Sequence, residues 1–274
     1  MRLLKKSFDF YLDASVHVAL SVVALMDITA FFFDLRADEH LYYFMFFGTI
    51  ACYNFIKYGI EAEKYLFVSN SYHRYIQGFS FIAVIFGGYH AYFLSLEVWI
   101  TLFFLSVLIG LYALPVLPRA RNLRNLGILK VLMVAFVWAG VTVILPVVSS
   151  GELLTWDIQI EAFQRMIVIL VLMIPFEIRD MFIDRPALKT LPQRLGVKGS
   201  RKLGILLSVL FVISTLFKDF FTNAELYSKI IFGTLLVLLM LKTREKQAKY
   251  FASFWVEFTP VAWWMVVLGF ELMA

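Results

Sequence analysis

The sequence contains few charged residues and almost no cysteine, and each shortage excludes a class of protein. Asp, Glu, Lys and Arg make up 16% of the 274 residues, whereas a soluble globular domain has about 25%. The single cysteine, Cys52, excludes a framework of internal disulfides. Aspartate is absent between Asp38 and Asp157, so more than a third of the chain lacks this carboxylate. The chain is therefore neither an ordinary soluble domain nor a disulfide-stabilised one.

Apolar residues dominate the chain instead. They make up 61% of it, aromatic residues alone make up 18%, and the mean hydropathy is +0.81. Nine apolar stretches are long enough, or nearly so, to cross roughly 30 Å of hydrocarbon as helices. They lie near 12–33, 41–60, 76–95, 97–116, 127–148, 162–178, 203–217, 229–242 and 252–272. We therefore predict an all-α integral membrane protein whose residues 1–274 form a single domain, a bundle of nine transmembrane helices.

The distribution of cations predicts the orientation of these helices. With the N-terminus on the cytoplasmic side, all but four of the 25 Lys and Arg residues fall in inner segments, as the positive-inside rule requires. The four outer cations are Arg36, Arg165, Lys218 and Lys229. The C-terminus is then on the outer side of the membrane. We expect the protein in the plasma membrane or, if it is bacterial, in the inner membrane. The net charge of +5 reflects this topology and contact with anionic membrane lipid, and it does not indicate a nucleic-acid partner.

A polar segment after residue 178, on the predicted cytoplasmic side, holds the most informative acids. Asp180 and Asp184 are four residues apart, so they share one face of a helix, and Glu177 lies one turn earlier. Pro186 predicts that the helix ends just after Asp184. Two carboxylates one turn apart suit Mg²⁺, which binds one or two protein carboxylates together with water and phosphate oxygens.

Several cations follow the acids and leave two interpretations open. Arg179, Arg185, Lys189 and Arg194 are close enough along the chain to hold a diphosphate beside a metal. Alternatively, they pair with Asp180 and Asp184 on a solvated surface, where ion pairs are common and contribute little. The spacing of the two aspartates does not decide between these interpretations.

The segment from Arg179 to Gly196, which reads RDMFIDRPALKTLPQRLG, resembles the second aspartate motif of the UbiA-type intramembrane prenyltransferases. Asp180 and Asp184 match the two aspartates of that motif, and the run KTLPQRLG matches its tail. A second match is LYALP at 111–115, which contains Tyr112 and is similar to the family's Y-x-x-P segment after the fourth helix. The resemblance covers most of the chain, with one specific motif.

The resemblance implies a fold, a reaction and a set of site residues. The fold is a nine-helix bundle around a central cavity that opens to lipid. The reaction moves a prenyl group from a polyprenyl diphosphate to an aromatic or other lipophilic acceptor, with Mg²⁺ stabilising the leaving diphosphate. Asp180 and Asp184 are then the catalytic metal ligands. The substrate contacts are Arg179, Lys189, Arg194 and Tyr112.

The family's first aspartate motif, after the second helix, is incomplete in this chain. At 54–62 the sequence reads NFIKYGIEA, so Asn54 matches but Phe55, Tyr58 and Ala62 occupy the three acid positions. We expect Asn54 to contact the donor. We also expect Glu61, about one turn from the usual position, to supply a substitute ligand for a single Mg²⁺.

Two other functions remain open at this point. The missing acids favour a catalytically weakened protein that binds a lipid or quinone-like ligand without turnover. The polar residues within apolar helices, Asp27, His90 and Glu257, would suit a transporter that relays protons. Many transporters carry paired internal repeats, however, and no repeat is evident in this sequence.

Overall fold

The computed structural model describes residues 2–36, 38–60, 71–113, 127–183 and 188–272, and throughout these ranges the regular structure is helical. Within them a short N-terminal helix precedes nine longer ones. The helices are α1 (Arg2–Asp13), α2 (Val16–Phe33), α3 (Glu39–Asn54), α4 (Ser71–Ala91), α5 (Leu96–Ala113), α6 (Ile128–Ser149), α7 (Trp156–Asp180), α8 (Leu191–Phe217), α9 (Asn223–Lys242) and α10 (Phe251–Glu271).

The lengths and composition of these helices make the molecule an integral, multi-pass membrane protein. Seven of them, α2 and α5 to α10, are long and apolar enough to cross a membrane. Helix α3 has 16 residues and continues through a wide helical turn at Phe55–Ile60, and α4 has 21 residues. The predicted all-helical membrane bundle is therefore confirmed, and nine long helices lie in the described ranges in the predicted order.

Helix α2 lies between two groups of helices and connects them. It packs against α3 on one side, α10 on the other and the second half of α6. Helices α6 to α10 follow one another around the bundle, and each is packed on the next. In this core the rings of Trp263 and Phe232 stack with their centroids 4.3 Å apart. Many large apolar side chains of α4 and α5, such as Ile85, Phe103 and Phe104, are exposed, as expected for surfaces in contact with lipid.

Several helix starts differ from the predicted ones because polar residues lie within helices, and among them α4 begins at residue 71 instead of 76 and α7 at residue 156 instead of 162. Residues 2–13 form α1, which is separated from α2 by the left-handed residue Ser15. Helix α8 begins at residue 191 instead of 203, and a capping box between Thr190 and Gln193 fixes its first turn. Helix α9 begins at residue 223 instead of 229, where the Thr222 hydroxyl accepts a hydrogen bond from the Glu225 N–H.

The three cations assigned to the outer side at 165, 218 and 229 are not in loops exposed to solvent. Arg165, Lys218 and Lys229 are each buried, with side chains that have no exposed area. They surround two buried acids, Glu161 and Glu225. We call these five residues the Glu161 cluster. Ion pairing with these acids compensates the cost of burying the three cations.

The Glu161 cluster is closely hydrogen-bonded. The Lys229 Nζ donates to Glu161 Oε2 at 2.7 Å, to Glu225 Oε1 at 2.6 Å and to the Gln164 side-chain oxygen at 2.6 Å. Lys218 donates to the same two carboxylates. Arg165 connects the cluster to α2 by donating to the Leu25 carbonyl at 2.7 Å. The cluster therefore joins α2, α7, α9 and the turn after α8 at one end of the bundle.

Two prolines disturb the helices at the opposite end, near Asp180. Pro175 lies inside α7 and Pro260 inside α10, and neither can donate a backbone hydrogen bond. The carbonyl of Val256, which would accept from residue 260, instead accepts from the Thr259 hydroxyl at 2.6 Å. The carbonyl of Pro175 accepts from Gln247 Nε2 at 2.8 Å. The Thr259 hydroxyl thus replaces the hydrogen bond that Pro260 cannot donate, and Gln247 connects the segment before α10 to α7 beside the cavity described next.

Candidate functional site: a charged mouth and a buried cavity near Asp180

A cavity of about 580 Å³ opens at the Asp180 end of the bundle. We call it the mouth. Its walls come from α1, the ends of α2 and α3, α4, α7 and the beginning of α10. Four cations and three acids line it: Lys6, Lys57, Arg179, Lys249, Asp9, Asp13 and Glu257. The cations come from four separate segments of the chain, and together they give the mouth the chemistry of an anion-binding surface.

A second cavity, of about 280 Å³, lies deeper between the helices. We call it the inner chamber. It shares the wall residues Val18, Tyr53, Phe176 and Glu257 with the mouth, so the two spaces adjoin. Its other walls are mostly apolar. The polar residues among them are Ser21, Tyr112, Lys130, Glu177 and Asp180.

The inner chamber is continued by two smaller apolar spaces, which we call the apolar branch. They measure about 130 and 190 Å³ and lie between α2, α3, α5 and α6. Tyr53 and Trp138 line both of them as well as the inner chamber. The Trp138 indole N–H donates to the Tyr53 hydroxyl at 2.8 Å, which satisfies both polar groups in this apolar wall. The path thus runs from a charged mouth to an apolar end.

Asp180 and Arg179 form a bidentate ion pair at the end of α7. The Arg179 Nε lies 2.7 Å from Asp180 Oδ1, and its terminal nitrogen lies 2.9 Å from Oδ2. The pair is partly exposed, with 42% of the Arg179 side chain and 36% of the Asp180 side chain accessible. The guanidinium also lies over the Phe176 ring at 5.3 Å. An exposed pair of this kind contributes little to stability, so its partners remain available to a ligand.

Glu177, one turn before Asp180, forms a more buried pair. Its Oε1 lies 2.7 Å from the Lys130 Nζ of α6, and only 5% of the Glu177 side chain is accessible. The pair holds the start of α6 against the end of α7. Glu177 is near the aspartates in the sequence, but its ion-pair partner could not be predicted because Lys130 is distant in the sequence.

The Asn54 side chain, expected to contact the donor, is hydrogen-bonded within the protein. Its Oδ1 accepts from the Ser15 hydroxyl at 2.8 Å, and its Nδ2 donates to the Ala14 carbonyl at 3.0 Å and to the Ser80 hydroxyl at 2.9 Å. The residue is 3% exposed. Asn54 therefore connects α3 to the α1–α2 junction and to α4, next to the mouth.

The remaining predicted site residues fall into three groups. Tyr112 and Arg179 lie on the cavity walls, as does Asp180. Lys189 and Arg194 are exposed at the start of α8, where Arg194 Nε donates to the Lys189 carbonyl at 2.9 Å. Asp184 and Glu61 lie outside the described residues.

Two mouth residues that the motifs did not indicate are tied to α1. Lys249 Nζ lies 3.0 Å from Asp9 Oδ1, and the Tyr250 hydroxyl donates to the same oxygen at 2.7 Å. The hydrogen bond from Tyr250, followed by that from Lys249, lowers the pKa of Asp9. Hydrogen bonding to Asp9 likewise raises the pKa of Lys249. Both groups are therefore charged near neutral pH.

The donor chemistry at the inner chamber suits Mg²⁺. Asp180 presents two carboxylate oxygens at the chamber wall, and Mg²⁺ takes one or two such ligands together with phosphate oxygens and water. Across the described ranges no three His, Cys, Asp or Glu residues are grouped as a complete metal site. Among the described residues, Asp180 is therefore a candidate ligand for one ion held by a partial protein shell.

Comparison with solved structures finds this architecture in other proteins. A digeranylgeranylglyceryl phosphate synthase matches with a TM-score of 0.56 and 18% identity, over 97% of this chain and 98% of its own. A UbiA homologue from Archaeoglobus fulgidus bound to DMAPP and Mg²⁺ matches with a TM-score of 0.56 and 11% identity, over 95% of this chain and 97% of its own.

A structure of a UbiA homologue from the same organism bound to GPP and Mg²⁺ gives a TM-score of 0.57 at 12% identity, over 95% of this chain and 98% of the homologue. No family model and no curated protein sequence matches the chain. The structural matches extend over nearly the whole chain in each case and confirm the resemblance on which the sequence analysis relied. The chain therefore has the fold of the UbiA-type intramembrane prenyltransferases.

Proposed function

We propose that this protein is a Mg²⁺-dependent membrane prenyltransferase that moves a prenyl group from a polyprenyl diphosphate to a lipophilic acceptor. One observation carries the proposal: the mouth, the inner chamber and the apolar branch adjoin in that order. A polyprenyl diphosphate has the same order of properties, with an anionic head and a long apolar tail. The structural neighbours with DMAPP or GPP and Mg²⁺ support the same substrate class.

The residues of the mouth and inner chamber would divide the work of binding. Arg179 and the mouth lysines attract the diphosphate, and Asp180 at the end of α7 is the described residue that would hold Mg²⁺. Asp184, four residues further along the sequence, is the second proposed ligand, and Glu61 is the proposed third. When bound, Mg²⁺ would stabilise the negative charge that develops on the leaving diphosphate.

The reaction breaks the bond between the allylic carbon and the diphosphate oxygen, and both electrons leave with the diphosphate. The allylic carbon then bonds to a nucleophilic atom of the acceptor, which gives up a proton. The Glu257 side chain lies where the mouth meets the inner chamber, and we propose that it receives that proton when it is in its carboxylate form. The rings of Tyr53, Tyr112 and Phe176 surround the same region, and aromatic faces stabilise a neighbouring cation while excluding water.

Purified protein in lipid nanodiscs provides the test. Labelled prenyl diphosphates of 10, 15 and 20 carbons would be supplied with a panel of aromatic and lipid alcohol acceptors, with Mg²⁺ or with EDTA. We expect Mg²⁺-dependent release of diphosphate together with a labelled, apolar product. Absence of both across all donors and acceptors, from protein shown to be folded, would refute the proposed activity.

A second function is favoured because two polar groups predicted to bind substrate or metal already bond to other groups of the protein. The amide of Asn54 is hydrogen-bonded within the protein, and both oxygens of Asp180 contact Arg179. We propose as the alternative that the cavity binds a lipid or quinone-like ligand without turnover. Native mass spectrometry separates the two functions: the alternative predicts a retained lipid whose occupancy is the same in the wild type and in Asp180→Asn, with no turnover in either.

A further inference from the structure

Helix α1 places two carboxylates against cations of the mouth. Asp9 contacts Lys249 at 3.0 Å, and Asp13 Oδ1 lies 3.7 Å from the Lys57 Nζ. Asp9 and Asp13 are four residues apart in the sequence and both line the mouth. Each is thus a carboxylate of the protein itself that lies beside the cations of the mouth.

The partners of these carboxylates belong to opposite sides of the mouth. Lys249 and Tyr250 precede α10, whereas Lys57 lies in the wide turn after α3. Asp13 is further held by the Tyr72 hydroxyl of α4, which donates to its Oδ2 at 2.8 Å. Helix α1 therefore bridges the mouth by two charged contacts, and its carboxylates occupy donors that a bound diphosphate would use.

Both ion pairs are of the kind that a ligand can displace. The accessible fractions are 65% for the Lys249 side chain and 27% for Asp9, and 44% for Lys57 and 41% for Asp13. Exposed ion pairs contribute little because water screens them. A diphosphate carries more charge than one carboxylate and has several acceptor oxygens, so it would compete well for the same lysines.

We propose that Asp9 and Asp13 compete with the substrate for Lys249 and Lys57, so that the diphosphate head of a prenyl donor binds by displacing the α1 carboxylates from these lysines. The aromatic contacts of α1, such as Phe8 against Phe254 and Phe10 against Phe79, keep the helix attached to the bundle, but it is loosened when its two charged contacts exchange. The inference rests on the proposed function for the identity of the ligand. Its test uses binding, so that it can fail separately.

Binding of inorganic pyrophosphate to the full chain in nanodiscs of neutral lipid tests the lysines. Lys57→Gln and Lys249→Gln are each expected to weaken binding about ten-fold, because each removes a charge-assisted contact to the anion. Lys202→Gln is the matched control, since Lys202 is an exposed cation of α8 away from the mouth. Equal effects of all three substitutions would show only a general effect of net charge and would overturn the proposal.

The acids are expected to act in the opposite direction. Asp9→Asn and Asp13→Asn keep a hydrogen-bond acceptor but remove the competing charge, so pyrophosphate should bind about two- to five-fold more tightly. Glu245→Gln is the matched control, because Glu245 is an exposed acid in the segment before Lys249 and does not line the mouth. Unchanged or weaker binding in both aspartate variants would overturn the competition.

Hydrogen exchange provides a second measurement that does not depend on a variant. Pyrophosphate should increase deuterium uptake in α1 of the wild-type protein, because it releases the helix from Lys57 and Lys249. A purely structural helix would show protection or no change, and either result would contradict the proposal. If pyrophosphate binds with the predicted pattern but no prenyl transfer occurs, the inference holds and the proposed function fails. If transfer occurs without that pattern, the inference alone fails.

Discussion

The two ends of the bundle both concentrate charge, but they differ in how that charge is held. At one end, the Glu161 cluster has no exposed side-chain surface on Glu161, Arg165 or Lys229, and its carboxylates contact several cations each. At the other end, Arg179 and Asp180 form one partly exposed pair, and the mouth cations stand around an open cavity.

This difference separates a structural role from a site. Charges that are buried and fully surrounded are costly to disturb, because removing one partner leaves another uncompensated in an apolar medium. Charges on a cavity wall can exchange partners at little cost in free energy. A site that binds and releases an anion requires such exchange. The Glu161 cluster therefore holds four segments together, and we propose that binding and chemistry occur at the Asp180 end.

The largest effect is expected from breaking the Glu161 cluster. Glu161→Gln preserves the shape of the side chain but leaves Lys218, Lys229 and Arg165 with one acid, so the free energy of unfolding should fall by about 3–5 kcal/mol. Denaturant titration in detergent micelles measures this change. A loss of less than 1 kcal/mol would show that the cluster does not stabilise the bundle, and prenyl transfer per folded molecule should be unaltered in either case.

Asp180→Asn is expected to show the reverse pattern. Prenyl transfer should fall about 100-fold or more, because a carboxylate that stabilises the reacting complex is lost. The free energy of unfolding should change by about 1 kcal/mol or less, since the pair with Arg179 is partly exposed.

The matched control is Asp157→Asn, at the opposite end. There the Asp157 carboxylate accepts hydrogen bonds from the backbone N–H groups of Asp219 and Phe220. Its transfer rate should equal that of the wild type. Comparable losses of activity in both variants would contradict the assignment of chemistry to the Asp180 end.

A smaller effect is expected from filling the apolar branch. Gly48 lines it and has no neighbouring atom within 4 Å of an added Cβ, so Gly48→Leu would project into the space. We expect kcat/KM for a 20-carbon donor to fall about ten-fold, with little change for a 10-carbon donor. Gly88→Leu is the control, because Gly88 is equally open but lies on the outer surface of α4. An equal loss for both donors would exclude the branch as the tail site.

The smallest effect is expected at the exposed start of α8. Arg194 donates to the carbonyl of Lys189 and lies outside the walls of the mouth and inner chamber. Arg194→Gln should therefore change KM for the donor by about two-fold or less. A large rise in KM would instead support the prediction from the motif that Arg194 contacts the substrate.

The transmembrane part of this fold was predictable because hydropathy records which segments suit lipid. Helix starts that lie in polar segments could not be predicted from hydropathy. Glu225 resembles a loop residue when read alone, and α9 begins before it because Glu225 pairs with Lys229, which also contacts Glu161. Arg2, Lys5 and Lys6 were explained by the positive-inside rule, which does not reveal that they belong to a helix over the mouth.

The site was predictable where a local motif defines it and not where distant segments meet. Asp180 was found through its neighbours in the sequence and does line the inner chamber. Lys57 and Lys249 are far apart in the chain, and no sequence pattern places them in one cavity. Asn54 matches the motif by position, but its hydrogen bonds to Ser15 and Ser80 depend on packing between helices.

The most direct test of the account is a structure of the chain with Mn²⁺ and a non-hydrolysable prenyl thiodiphosphate, with the metal located by anomalous scattering. The account predicts a metal peak beside Asp180, the diphosphate in the mouth against Arg179, and the prenyl tail passing Trp138 into the apolar branch. A ligand bound elsewhere, or a bound ligand without metal near Asp180, would contradict it.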